Sequence, residues 1–136
     1  IVLNKRGGAL LEFMKPARMA VAAVLGDGKQ IVSWIHHQDL SAMVLFAMTH
    51  KNLEGVYNAV APMPVNNESL TLQIAFKYHS WHLKVFVPAW ALKIILGEMS
   101  IEVLKSAKVS SAKIQSEGFE FAYPTIEMAL DNLLKK

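Results

Sequence analysis

Trp34 and His36 stand two residues apart in the run Ile31-Val32-Ser33-Trp34-Ile35-His36-His37. A period of two puts Val32, Trp34 and His36 on one face of a strand and Ile31, Ser33, Ile35 and His37 on the other. An indole beside an imidazole combines an apolar body, an N–H donor and a group that changes charge near neutral pH. Two readings stay open. Either Trp34 packs on a core and His36 is satisfied by a backbone carbonyl, or this face lines a ligand pocket together with Gln30 at the preceding turn and Asn58 on a neighbouring strand. Gln30, Trp34, His36 and Asn58 are therefore the candidate substrate-binding residues. Asn58 sits in an apolar stretch, where a polar group must be tied to backbone or face a ligand. Asp39 follows the run by two residues and stands where a helix N-cap belongs, a structural role.

Other chemistries find less support. His36 and His37 point to opposite faces of a strand and cannot share one ion, whereas His79 and His82, three apart on an expected helix, could. With no carboxylate at ligand spacing and no cysteine, no metal site is expected. No Gly-x-Ser-x-Gly elbow and no P-loop occur, and Gly26-Asp27-Gly28 lacks the third glycine of a dinucleotide fingerprint. An Asp-Gly step of that kind suits a tight hairpin turn.

The elements that would position these residues alternate between strand and helix patterns. Ile1-Val2-Leu3 reads as a strand buried on both faces, and Gly7-Gly8 leads into a helix over Ala9 to Met14 that Pro16 stops. Ala22 to Leu25 and Ile31 to His37 read as the arms of a hairpin. Leu40, Met43, Val44 and Ala47 follow at helical spacing. Gly55 opens a second strand, Val56 to Ala61, and Pro62-Met63-Pro64 forces a turn. Asn66 or Asn67 caps the next helix, with Glu68 in its first turn. Val85 to Val87 is extended, Pro88 suits a first helical position, and Gly97 ends the helix Ala89 to Leu96. Short helices are expected over Ile101 to Ala107 and Ser110 to Ser116, then a strand at Phe119 to Phe121. Pro124 starts a last helix striped by Ile126, Ala129, Leu130, Leu133 and Leu134.

Composition sets the bounds. The chain has 136 residues, 53% of them hydrophobic and 18% charged, with a formal charge of +3. That suits a globular chain with a sizeable core and excludes a disordered or disulfide-stapled one. All but Arg6 and Arg18 of its 14 cations are lysine, so nucleic acid is not expected as a partner. The longest apolar run, Met19 to Leu25, is far short of the roughly 20 residues that span a bilayer, so no membrane segment is expected. A mean hydropathy of +0.28 is nonetheless high for so few charges. With Ile1 as first residue, that excess favours a piece of something longer.

The words Gly28-Lys29-Gln30-Ile31-Val32-Ser33-Trp34-Ile35-His36 with Asp39-Leu40, Gly55-Val56-Tyr57-Asn58-Ala59-Val60-Ala61-Pro62, Leu96-Gly97-Glu98-Met99, and Gly118-Phe119-Glu120-Phe121-Ala122-Tyr123-Pro124 with Ala129-Leu130 occur in order. Together they resemble the C-terminal part of the extended short-chain dehydrogenase/reductase family, in its nucleoside-diphosphate-sugar epimerase branch. Ile1-Val2-Leu3 with Gly7-Gly8-Ala9-Leu10 is similar to a late strand of that family's Rossmann half and the turn after it. The resemblance implies an α/β fold in which residues 1–87 carry late Rossmann elements and a substrate-side α+β hairpin, and residues 88–136 form the small C-terminal helical domain of unknown function.

It further implies a parent about twice as long that binds NADP or NAD on an N-terminal Rossmann half and uses a Tyr-x-x-x-Lys pair. Neither device is here: Tyr57, Tyr78 and Tyr123 are followed four residues on by Ala61, His82 and Glu127. No catalytic residue is therefore carried over to this chain, and no cofactor is expected to bind tightly to it alone. The family's pattern also differs at His37, Gln38 and Met63, beside the pocket words. A cytoplasmic location, a small-molecule substrate such as a nucleotide sugar, the missing Rossmann half and a second copy of the chain complete the expected setting. The alternative is a stand-alone binding or interaction module that kept the fold and lost the enzyme.

Overall fold

The computed structural model describes residues 1–96 and 105–135. The elements run β1 (Val2–Leu3), α1 (Ala9–Ala17), β2 (Val21–Leu25), β3 (Ile31–Val32), β4 (Ile35–His36), α2 (His37–Thr49), β5 (Val65–Asn66), α3 (Asn67–Tyr78), β6 (Leu83–Val87), α4 (Ala89–Leu96), α5 (Ala112–Ser116) and α6 (Ile126–Leu134). Strands pair two by two among the described residues: β1 with β4 and β2 with β6 in parallel, β3 with β5 antiparallel. This is a mixed α/β architecture.

Helices whose signals are local form as expected. Asn66 Oδ1 accepts the Ser69 N–H at 2.7 Å and caps α3, and the α6 stripe is buried from Ile126 to Leu134. The main core joins α1, α3 and α6 through Leu10, Met14, Leu70, Ile74, Leu130 and Trp34. A second cluster gathers Ile35, Met43, Ile114 and Phe119. Pro16 does not stop α1 but lies inside it. Its ring removes only the bond to the carbonyl of Glu12, an exposed residue whose oxygen can be solvated.

The strands diverge from the sequence reading because their partners are distant. Gly26-Asp27-Gly28 does form a tight turn, with the Gly28 N–H on the Leu25 carbonyl at 3.0 Å and positive φ at both glycines. No hairpin follows, because β2 takes β6 as its neighbour and the turn docks on the start of α3: Glu68 N–H bonds the Gly28 carbonyl, and Asn67 Oδ1 accepts the Leu25 N–H. A Cβ at Gly28 would meet Val24 Cγ1 at 2.6 Å and Glu68 Cβ at 2.9 Å, so only glycine fits this close approach.

Ile31 to His37 is not one strand. It crosses from β3 to β4 between two sheets, so Trp34, Ile35 and His36 are all buried in succession and the two-face alternation fails. Val56 to Ala61 and Phe119 to Phe121 are irregular rather than strands. The former gives its backbone to Lys113 Nζ, which bonds the Glu54 and Val56 carbonyls, and to Trp34, whose carbonyl accepts the Ala61 N–H. Strand β1 is buried at Leu3 but exposed at Val2. The expected helix over Ile101 to Ala107 and the Gly97-Glu98-Met99 word lie largely outside the described residues; Lys105 to Ala107 are irregular.

Candidate functional site

Two backbone segments that are far apart in sequence meet around Ser33. Its hydroxyl donates to the Ala107 carbonyl at 2.7 Å and accepts the Val109 N–H at 3.0 Å. Ile31 N–H bonds Ser106 Oγ and its carbonyl accepts the Ala107 N–H. Between this seam and the start of α1 opens a groove of about 380 Å3, lined chiefly by Ile1, Phe13, Val32, Val60, Val109 and Lys105. Asn67 also borders it, but its side-chain oxygen is occupied by Leu25. The groove is thus an apolar slot with one cation on its rim, the form of a small-molecule site with few polar groups for orientation.

None of the four sequence candidates is in the lining of this groove. Gln30 Nε2 donates to the Leu25 carbonyl at 3.0 Å and closes the glycine turn. Trp34 Nε1 donates to the Met63 carbonyl at 2.9 Å. Asn58 Nδ2 donates to the Ser110 carbonyl at 3.0 Å, on an exposed loop. Three lining residues, Ile31, Val32 and Ser33, lie between Gln30 and Trp34; alternation put Val32 on the candidate face and the other two on the opposite one.

His36, not Asp39, caps α2. Its Nδ1 accepts the Gln38 N–H at 3.1 Å, which leaves the proton of the neutral ring on Nε2. The imidazole is buried and stacked between Tyr123, at 3.9 Å between centroids, and His37, at 4.6 Å. His36 and His37 are therefore neighbours rather than occupants of opposite faces. Burial, then the His37 charge, pushes the His36 pKa down, while the Asp39 carboxylate and the Asn132 side chain pull the other way. Among the described residues Nε2 lacks a hydrogen bond of normal geometry.

Asp39, expected as the cap, lies in the first turn and is buried. Its carboxylate accepts the Ala122 N–H at 2.9 Å and the Tyr123 N–H at 3.0 Å, and Tyr123 Oη donates to Gln38 Oε1 at 2.9 Å. The start of α2 thereby clamps the segment that leads into α6.

His79 and His82 do not meet on a helix: α3 ends at Tyr78, His79 pairs with the Arg18 carbonyl, and His82 packs edge-on against Phe76. Among the described residues no cluster of three His, Cys, Asp or Glu could hold a metal, and no helix is long and apolar enough to cross a membrane.

Residues 87–133 match the family described as Domain of unknown function (DUF1731). Over 136 residues the chain is 38% identical to an epimerase family protein of Staphylococcus aureus, covering 100% of this chain and 45% of that protein. A second, from Staphylococcus epidermidis, is 38% identical over 135 residues. The chain spans about half the length of these curated relatives. In fold it superposes on the human epimerase family protein SDR39U1 (isoform 2), crystallised with NADPH, with a TM-score of 0.92 at 24% identity, over 100% of this chain and 46% of that one. By sequence and by fold, the chain matches the C-terminal part of epimerase family proteins. A nucleoside-diphosphate sugar epimerase of Corynebacterium glutamicum shares that fold at a TM-score of 0.71 and 25% identity, over 98% of this chain and 24% of that one.

Within this chain, His36 makes stability depend on pH. Its folded pKa lies below the ordinary 6.5, so between the two values the unfolded chain holds more protons than the folded one, and stability rises with pH there. The His36 contribution to the urea midpoint is expected to be level above pH 6.5 and to fall as pH drops through that window. His36→Asn retains an oxygen for the Gln38 N–H, and the difference between its profile and that of the parent chain isolates the imidazole. Parallel profiles would count against it.

Proposed function

We propose that this chain is the substrate-side part of an NAD(P)-dependent epimerase- or reductase-like enzyme whose cofactor sits on an N-terminal Rossmann part of a longer protein. The groove beside Ser33 is the observation that carries the proposal, because it is concave, apolar and built by the words that mark the family resemblance. The NADPH of the human protein and the NADP of the Campylobacter jejuni GDP-mannoheptose C4 reductase, alike in fold at a TM-score of 0.68 and 14% identity, support a nicotinamide cofactor in the parent. The glycine turn ahead of a helix in this chain, Gly7-Gly8 before α1, lacks the third glycine of a dinucleotide fingerprint, so in this reading the pyrophosphate is held by the N-terminal part. Exposed Ile1, Val2, Val44, Leu45 and Met48 on β1 and α2 are the surface such a Rossmann half would cover.

In this reading, Gln30, Trp34 and Asn58 act through the backbone carbonyls they hold, and His36 through the start of α2, rather than by touching the substrate. Residues 88–136 would act as the family's small C-terminal unit in a cytoplasmic enzyme. A nucleotide sugar is the substrate class to test first, with Lys105 as the rim cation nearest to hand for its phosphates. A diphosphate takes more than one charge-assisted contact, so the remaining positive charge would come from the N-terminal part.

The purified 136-residue chain with NADPH and a sugar nucleotide should oxidise no cofactor, while the longer protein that carries it should. In that longer protein, Lys105→Ala should raise KM for an anionic substrate about tenfold, the loss of one charge-assisted bond. Turnover by the isolated chain, or an unchanged KM, would sink the respective claims. If neither form turns over but both bind the ligand, the binding-module reading replaces the enzyme.

A further inference from the structure

Strand β6 is an open edge set in an apolar patch. Its ladder to β2 is parallel, in which alternate residues turn both backbone groups to the same neighbour. The Leu83 N–H bonds the Ala20 carbonyl at 2.8 Å, and the Val87 carbonyl accepts the Gly26 N–H at 2.9 Å. Residues 83, 85 and 87 therefore face β2, and Lys84 and Phe86 present their N–H and C=O groups outward. No strand occupies that side among the described residues. The sheet face carrying Val21, Ala23, Leu25, Leu83, Val85 and Val87 is apolar at every position.

The strand itself exposes Leu83, Val85 and Phe86, the last at 50%; Trp81 at 73% precedes it, Trp90 at 69% and Ile94 follow it on α4, and Phe76 at 62% meets His82 edge-on just before it. Rings of roughly 150–250 Å2 each leave about 500 Å2 in water at those exposures. Leu83 and Val85 flank the edge on one face of the sheet and Phe86 on the other, so a strand added at this edge meets apolar side chains on both sides. A solitary protein rarely leaves that much apolar surface together.

We propose that this surface is a two-fold interface with a second copy of the chain, in which β6 pairs antiparallel with β6 about a dyad at Val85. The pattern of outward groups is self-complementary in this register and no other is needed. Lys84 of one copy lies opposite Phe86 of its partner, and the two exchange both backbone bonds. Val85 faces Val85 as a non-hydrogen-bonded pair. The edge lysine, which would repel a strand carrying a cation opposite it, here meets an aromatic ring. Within one chain its Nζ already stands 5.2 Å from the Phe86 ring centre and pairs with Glu68 at 2.9 Å. The surface is separate from the β1 and α2 residues assigned to a Rossmann half, so it does not depend on the proposed enzyme.

The chain has no cysteine, so single-cysteine variants report the register directly. Across a non-hydrogen-bonded pair the Cα atoms stand about 4.5 Å apart, within the span a disulfide bridges. Val85→Cys should oxidise to a covalent dimer at least about tenfold faster than Leu45→Cys on α2. Sedimentation of the unmodified chain from about 1 to 100 µM should show a monomer–dimer equilibrium. Val85→Lys, which sets two charges face to face at the dyad, should remain monomeric with an unchanged circular dichroism spectrum. A chain monomeric throughout, a dimer abolished by Leu45→Lys and not by Val85→Lys, or equal cross-linking at both cysteines would overturn the proposal.

Discussion

Asp39→Ala is expected to lower the unfolding free energy by about 3–5 kcal/mol, because two backbone N–H groups lose a charged acceptor at once and each such bond contributes about 1.5–3 kcal/mol. Tyr123 is half-buried and Ala122 is exposed, but the carboxylate both donors reach is itself buried. The loss does not stay local. The Tyr123 ring that the clamp holds is the lid on His36, and the segment it anchors leads directly into α6, whose stripe fills the main core. Asp39→Asn should cost roughly half as much, since one oxygen still accepts while the amide presents its own donors to the other N–H. Chemical denaturation gives the energy. Hydrogen exchange gives the site, with protection at Ala122 and Tyr123 collapsing before that of α3. Unchanged protection at those two amides would show that Asp39 is not the clamp.

Asp39 also illustrates which part of the molecule its sequence conveys. Type and place were legible: an acid at the start of a helix in an apolar setting. Its partners were not, because they lie 83 and 84 residues away and nothing local points to them. The cap position went to His36, a residue outside the usual Ser, Thr, Asp and Asn set, whose Nδ1 lone pair does the same work. Asn66, the glycines with positive φ and the α6 stripe were legible because each is decided within a turn of chain.

Pairing was the illegible part. The Asp-Gly turn has the geometry of a hairpin turn and still feeds no hairpin, since Asn67 and Glu68 compete for its backbone groups and β6 offers β2 a parallel partner. Alternation predicted two faces for Ile31 to His37, but the segment crosses between sheets and Trp34, Ile35 and His36 are buried one after another. The groove escaped for the same reason. Its seam joins residues 74 to 76 apart, and Ser33, which makes that seam, looked like the outer face of a strand.

Trp34 is where core and groove are the same question, and its truncation should be the other severe change. The side chain is fully buried among Leu3, Leu10, Ala61 and the α3 stripe, so Trp34→Ala leaves a large cavity and is expected to cost about 3–5 kcal/mol. That is a large share of the 5–15 kcal/mol that hold an ordinary domain. Trp34→Phe retains most of the volume but frees the Met63 carbonyl, at about 1–2 kcal/mol. Fluorescence separates this residue from the other two tryptophans, Trp81 and Trp90, which are both exposed. Native emission should shift to longer wavelength in Trp34→Phe, because the only buried indole has gone, whereas Trp81→Phe should shift it the other way. The backbone at Trp34 also fixes Ala61 through a bond of 2.6 Å, and Val60 and Val32 on either side of that bond line the groove. A ligand of the groove should therefore bind more weakly to Trp34→Phe even where the fold survives. If Trp34→Phe binds such a ligand as the unmodified chain does, the tryptophan supports the core alone and the groove walls are set by Ser33 and its partners.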